Sequence, residues 1–337
     1  IRRQRQMCIR DRVDGAVATS TVDTIGRVSL GGATFTDVGA VEGFIDADSP
    51  LACISDAGVL GASLMHDAVW QLDYGKGELT IASDTDGLEH IYGAVAVPFE
   101  RASPASPSPI IELPAGEGSL RLLLDTGSDG WITVNPDDLA GTGANIADGA
   151  PAVSTIGAGS AGTFETRLAW TALDLTLGDR QLDDVPIATS AVVAATQGNI
   201  GNAFLSNYVV TIDWLDDVVY LDPVVEAPGP PVPMSVVATW DGDGYAVGSV
   251  VEGAADTDGL RLGAPVTAIG DSDVAAASFD EVCVAGLVVG RAAARLTGGG
   301  GGPSVGGAAR GGGVWGAVGR WRGGGGGGGG RGRWGGG

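Results

Sequence analysis

Residues 58–82, GVLGASLMHDAVWQLDYGKGELTIA, align without gaps on residues 198–222, GNIGNAFLSNYVVTIDWLDDVVYLD. Gly58 falls on Gly198, Gly61 on Gly201, Leu64 on Phe204, Val69 on Val209, Asp73 on Asp213 and Tyr74 on Trp214. Upstream, VSLGGATFTDV (28–38) matches LTLGDRQLDDV (175–185). The spacing between the two blocks is seven residues longer in the first copy (31 to 58 against 178 to 198), a loop-sized insertion. A repeat of this length restricts the chain to an architecture with two like lobes. Within each copy an apolar-Gly step precedes a short helical turn and two strand-like runs.

The rest of the interior agrees. GRVSLGG, RLLLD, WITV and LDLTLGD alternate apolar with polar residues and carry β-branched side chains between Gly, Asp and Pro breaks, which favours strands. No stretch longer than about a dozen residues holds a helical period. The class is all-β. Two Pro-rich stretches, 98–109 and 223–233, read as extended linkers. They divide the chain into a first lobe (13–97), a second lobe (110–222) and a third piece (234–290). Residues 1–12, IRRQRQMCIRDR, have no apolar period and are expected to be foreign to the fold or disordered. Residues 291–337 are low complexity, with 24 glycines among the last 40 positions, and cannot build a packed core.

Charge narrows the partners. The net charge is -22, and residues 13–290 hold 7 basic against 40 acidic side chains. Such a surface repels nucleic acid and anionic membranes; an Arg/Gly tail binding RNA conflicts with it. It fits a secreted, periplasmic or cell-envelope protein. Cys8, Cys53 and Cys283 are too scattered for a disulfide framework or a zinc site. No run of 18 apolar residues marks a membrane span.

The chemistry centres on LLLDTGSDGWITV (122–134), where an apolar run ends in a bare aspartate. Burying that carboxylate costs free energy unless it is hydrogen-bonded or used. A turn aspartate closing its own loop is the plainer alternative. His66 and His90 read as surface residues, Asp73 and Asp213 as hairpin-turn residues, and the aspartates of NPDDL (135–139) as turn caps. GAGSAG (157–162) lacks the lysine of a phosphate loop and reads as a hairpin tip. With only two histidines and no Gly-x-Ser-x-Gly, a serine-type triad is disfavoured.

Apolar-apolar-Asp-Thr-Gly-Ser, followed by an apolar run, a Gly-rich hairpin and an apolar-Gly step before a short helix, resembles the aspartic peptidases of the pepsin and retropepsin kind over residues 13–222. The resemblance implies bilobal β-barrel lobes, an endopeptidase acting on peptide or protein substrates, and no cofactor or metal. It assigns Asp125, Thr126, Gly127 and Ser128 to the catalytic loop. Asp125 would share a proton with a second carboxylate and activate water. Thr126 would brace the loop through its hydroxyl, Gly127 would offer an unobstructed N–H, and Ser128 would bond the outer oxygen of Asp125. Val59-Leu60-Gly61 and Asn199-Ile200-Gly201 would be the crossing segments. Ile156, Gly157, Ala158 and Gly159 would lie in a flap-like hairpin. Projecting the repeat places the counterpart of Asp125 about 22 positions before Ile1, so the first lobe is expected to lack its own Asp-Thr-Gly and this chain to be inactive alone. Two lobes in one chain permit a homodimer without requiring one. A non-catalytic peptide-binding protein on degenerate lobes is the alternative.

The third piece, GYAVGSVVEGAADTDGLRLGAPVTAIGDSDV (244–274), resembles bacterial PDZ domains. That resemblance implies capture of C-terminal peptides by strand addition near Gly244, Tyr245, Ala246 and Val247. Ala264-Pro265 departs from the usual acid after Leu-Gly.

Overall fold

The computed structural model describes residues 17–42, 58–103, 107–148, 150, 152–159, 162–190, 196–224, 236–241, 243–253, 260–269 and 272–276. It also gives short backbone strands at Arg5–Arg10, Arg295–Gly298, Val305–Gly306, Arg320–Arg322 and Arg331–Gly335. Strands dominate, and the helices at Ala62–Met65, Pro136–Ala140 and Asn202–Leu205 are each a single turn. The all-β reading holds.

A central antiparallel sheet joins the two copies of the repeat. Its strands run in the order Glu78–Ala82, Val69–Asp73, Tyr208–Asp213, Val218–Pro223 and Val95–Arg101. In the middle pair Val209 faces Asp73, Thr211 faces Gln71 and Asp213 faces Val69. Gln71 and Thr211 are counterparts in the repeat, so each copy's strand meets the other about a local two-fold axis, as in an isologous interface. Both side chains are buried, and Gln71 Nε2 donates to Thr211 Oγ1 at 2.9 Å. That bond satisfies two polar groups that burial would otherwise penalise.

The copies match in detail. Gly31 and Gly178 turn their hairpins at φ 55° and 60°. Asp37 and Asp184, six residues further on, both adopt positive φ (54° and 52°), an uncommon state for a residue with a Cβ. The turns after Asp73 and Asp213 correspond too: Asp73 Oδ1 accepts the Lys76 N–H, and Asp213 Oδ1 accepts those of Leu215 and Asp216. These aspartates close hairpins in the manner of Asx turns.

Around this sheet the second lobe folds as a continuous β structure: Pro109–Ala115, Gly118–Leu124, Ile132–Val134, Ala152–Gly159, Gly162–Leu177, Arg180–Thr189 and Gly198–Ile200. Leu113, Leu120, Leu122, Ile132, Leu175, Leu177 and Ile187 fill its core. Trp131 stacks edge-on to Phe204 at 5.2 Å and donates its indole N–H to the Pro186 carbonyl. The described part of the first lobe packs a long hairpin, Val17–Leu30 with Ala33–Glu42, on the central sheet through Phe35 against Trp70.

Three expectations change. The Pro-rich stretch 98–109 is not a spacer throughout: Pro98 pairs with Val218 and Phe99 with Ile111, carrying the chain from the central sheet into the second lobe. Proline is tolerated there because Pro98 stands where the strand changes partners: pairing with Val218–Pro223 ends at Pro98, and pairing with Pro109–Ala115 begins only at Phe99. Arg5–Arg10 pairs with Val17–Val22. The described strands of the third piece join the second lobe. Tyr245–Val251 pairs with Val236–Trp240 on one side and with Val153–Thr155 of the Gly-rich hairpin on the other. A small core of Trp240, Tyr245, Val247, Val250 and Val266 lies beneath.

Candidate functional site: the Asp125 loop

The strand Gly118–Leu124 delivers Asp125, and Ile132–Val134 carries the chain away. These two strands do not pair with each other. Gly198–Ile200 lies between them, parallel to the first (Ile200 facing Leu124) and antiparallel to the second (Ile200 facing Ile132). The inserted segment fastens both limbs of the loop. Asp125 N–H donates to the Ile200 carbonyl, Gly201 N–H to Trp131, Asn202 N–H to Ser128 and Ala203 N–H to Gly130, all at 2.8–3.0 Å. Gly201 is required by this closeness, since a Cβ there would lie 2.4 Å from the Gly130 oxygen and 2.9 Å from Ser128 Oγ.

Asp125 is half-buried, while Thr126 and Gly127 are exposed. Its Oδ1 accepts the Gly127 N–H at 3.0 Å, and its Oδ2 sits 3.5 Å from Asn199 Nδ2. One oxygen is thus bonded within the loop and the other turned toward the crossing segment. Asp129 keeps an open face to water, yet protein crowds its other sides. Its carboxyl is held above the ordinary aspartate range, first by that loss of water and also by the charge of Asp125, partly offset by a backbone N–H.

Two assignments for the loop differ from expectation. The Ser128 hydroxyl accepts the Gly130 N–H at 3.2 Å and so shapes the turn; the contact to the outer oxygen of Asp125 comes from Asn199. The brace on Thr126 runs through its carbonyl, which accepts Asn202 Nδ2 at 2.7 Å. Asn202 Oδ1 in turn accepts the Tyr74 hydroxyl at 2.7 Å. Tyr74 belongs to the first copy, so a two-bond relay links one lobe to the Asp125 loop of the other. Burial pushes the Tyr74 phenol well above its ordinary range, keeping it a donor. Sequence reading missed this pair. A buried-side tyrosine beside a hairpin and an asparagine after a glycine carry no local signal of a partner 128 residues away.

Ile156, Gly157, Ala158 and Gly159 lie on the inner strand of the hairpin, facing Glu165, Phe164, Thr163 and Gly162 in order. Gly157 is covered by the Phe164 ring, which a Cβ would approach to 2.5 Å. At the third piece, Val247 N–H donates to Ala264, Gly263 N–H donates to Val247, and Ala246 bridges to Pro265. With Val236–Trp240 on its other flank, the stretch Tyr245–Val247 is met on both sides among the described residues. His90, read as a surface residue, places its Nδ1 2.6 Å from Asp222 Oδ2, on the strand Val218–Pro223 of the central sheet. No group of three or more metal-ligating side chains occurs among the described residues.

No protein-family model matches the chain, and no curated protein sequence matches it. Among solved structures, a crystal structure of a retropepsin-like aspartic protease from Rickettsia conorii is similar over 38% of this chain and 98% of its own, at 15% identity and a TM-score of 0.27.

Proposed function

We propose that the protein is an aspartic-type endopeptidase in which Asp125 is one of two carboxylates that share a proton and activate water. The supporting observation is the loop itself: an aspartate at the end of a buried strand, held half-open by a segment threaded between the strands on either side. That arrangement fixes the carboxylate while leaving one face to a substrate.

Two carboxylates at close range cannot both ionise, so one holds the proton while the other acts as base. The base draws a proton from water, the oxygen attacks the scissile carbonyl, and the acid protonates the developing oxyanion or the leaving nitrogen. The mate of Asp125 is carried on an equivalent loop packed over Gly58–Gly61, as the Asp125 loop packs over Gly198–Gly201. Exposed Val59 and Leu60 form the surface that such a loop would cover.

The test is peptide hydrolysis at acid pH by the protein expressed from its whole reading frame, against Asp125→Asn. Loss of turnover by at least about a thousandfold, with peptide binding retained, is the expected result. Unchanged hydrolysis in the variant removes Asp125 from the mechanism.

A further inference from the structure

The Gly-rich hairpin is built into the third piece of the chain. Val153, Ser154 and Thr155 pair with Val251, Val250 and Ser249, and Glu252 N–H donates to the Ala152 carbonyl. Side chains reinforce the backbone ladder. Arg167, on the hairpin's outer strand, grips Glu252 with two bonds, Nε to Oε1 at 2.7 Å and Nη2 to Oε2 at 2.9 Å. Ser154 donates to the same carboxylate at 2.9 Å, and Ser249 Oγ donates to Thr155 Oγ1 at 2.7 Å. One carboxylate therefore touches both strands of the hairpin. Bidentate pairing of this kind fixes orientation as well as distance.

The base of the hairpin is tied elsewhere. Thr166 and Ser190 share a hydroxyl bond at 2.8 Å, and Ser190 N–H donates to Val134, on the strand that leaves the Asp125 loop. The hairpin thus has two attachments, one to the loop's own lobe and one to residues 249–252.

We propose that Glu252 is a positioning residue for the paired strands Ala152–Gly159 and Gly162–Leu177, fastening them to Tyr245–Val251 so that hairpin and strand move as one body. For its functional sense the proposal rests on the peptidase reading: a hairpin tied through Ser190 to the strand that leaves the Asp125 loop moves toward a substrate only by carrying the Tyr245–Val251 strand with it or by breaking the Val153–Val251 ladder. The third piece then governs hairpin freedom.

Hydrogen exchange of the intact protein tests the coupling whether or not Asp125 cleaves anything. Arg167→Glu and Glu252→Arg are each expected to raise exchange across 152–157 and 249–252 together, by about fivefold, the upper range for an exposed ion pair. The double swap, which restores opposite charges in reversed order, is expected to return exchange to within about twofold of the parent. Amides of Tyr208–Asp213 serve as the folding control and stay unchanged, as does the hairpin in Asp125→Asn. In a cleaving protein the single variants raise KM more than they lower kcat. Hairpin exchange that is unmoved in both single variants, or a double swap no better than either, overturns the proposal. Loss of the Asp125→Asn effect on hydrolysis alone would overturn the peptidase reading and leave this one standing.

Discussion

Gly58–Gly61 and Gly198–Gly201 are the same step in two copies of one repeat, and they end in opposite environments. Ile200 is 1% exposed between two strands, whereas its counterpart Leu60 is 47% exposed and Val59 is 65% exposed. Gly198–Ile200 is a strand; residues 58–61 form none. The motif does not carry its conformation with it. An apolar-Gly step becomes a strand when two others offer their edges; among the described residues no strand offers one to Gly58–Gly61.

The largest effect separating the copies is expected from truncating the apolar residue. Ile200→Ala should cost about 2–5 kcal/mol by urea unfolding, the range for emptying a packed site, and Leu60→Ala less than about 0.5 kcal/mol in a chain with no loop packed over Gly58–Gly61. Equal costs would show that residues 58–61 are covered in solution. Next come the glycines. Gly201→Ala drives a methyl into the Gly130 carbonyl and should cost about 1–3 kcal/mol, while at Gly61 a Cβ meets only Ser63 Oγ at 3.9 Å, and Gly61→Ala should be neutral or slightly stabilising.

Smaller effects follow for the lobe-to-lobe relay. Tyr74→Phe and Asn202→Ala each remove one end of it and should cost about 1 kcal/mol. The double variant should lose less than the sum, because the bond is shared; strict additivity would break the relay. The smallest effect is a pH dependence. Glu252 is held below the ordinary glutamate range, first by the bonds from Arg167, against a push upward from burial, and then by Ser154. A depressed folded-state value gives stability that is present above the unfolded value and lost as pH falls through the folded one. After correction for intrinsic exchange chemistry, hairpin protection should hold from neutral pH to about 4.5 and weaken only below it; weakening near pH 6 would assign the clamp to another group.

Legibility in the sequence followed range. The hairpins at Gly31 and Gly178, the turns closed by Asp73 and Asp213, and the two-lobe plan all rest on period-two patterning, turn residues and direct self-alignment. The threading of Gly198–Ile200 beside Asp125 came with the family resemblance, not from spacing. Three features escaped. The Tyr74–Asn202 bond, the His90–Asp222 pair and the docking of Tyr245–Val251 onto Ala152–Gly159 join residues about 90 to 130 positions apart. A strand's alternation fixes which face is buried and leaves open whose edge it meets. Ser128 shows the same limit at short range: its type fits bonding either to Asp125 or to the turn, and only the path of the backbone decides.

The Gln71–Thr211 axis bears on how the molecule can be handled. All six residues of Tyr208–Asp213 are buried, and one flank of that strand is covered solely by the other copy. Cutting the chain in the 83–94 connection and producing either half alone would bare a β edge whose only acid is the terminal Asp213 or Asp73, a template for self-association. Half-molecules should therefore aggregate or pair with themselves, with two threonines or two glutamines meeting where one of each now sits.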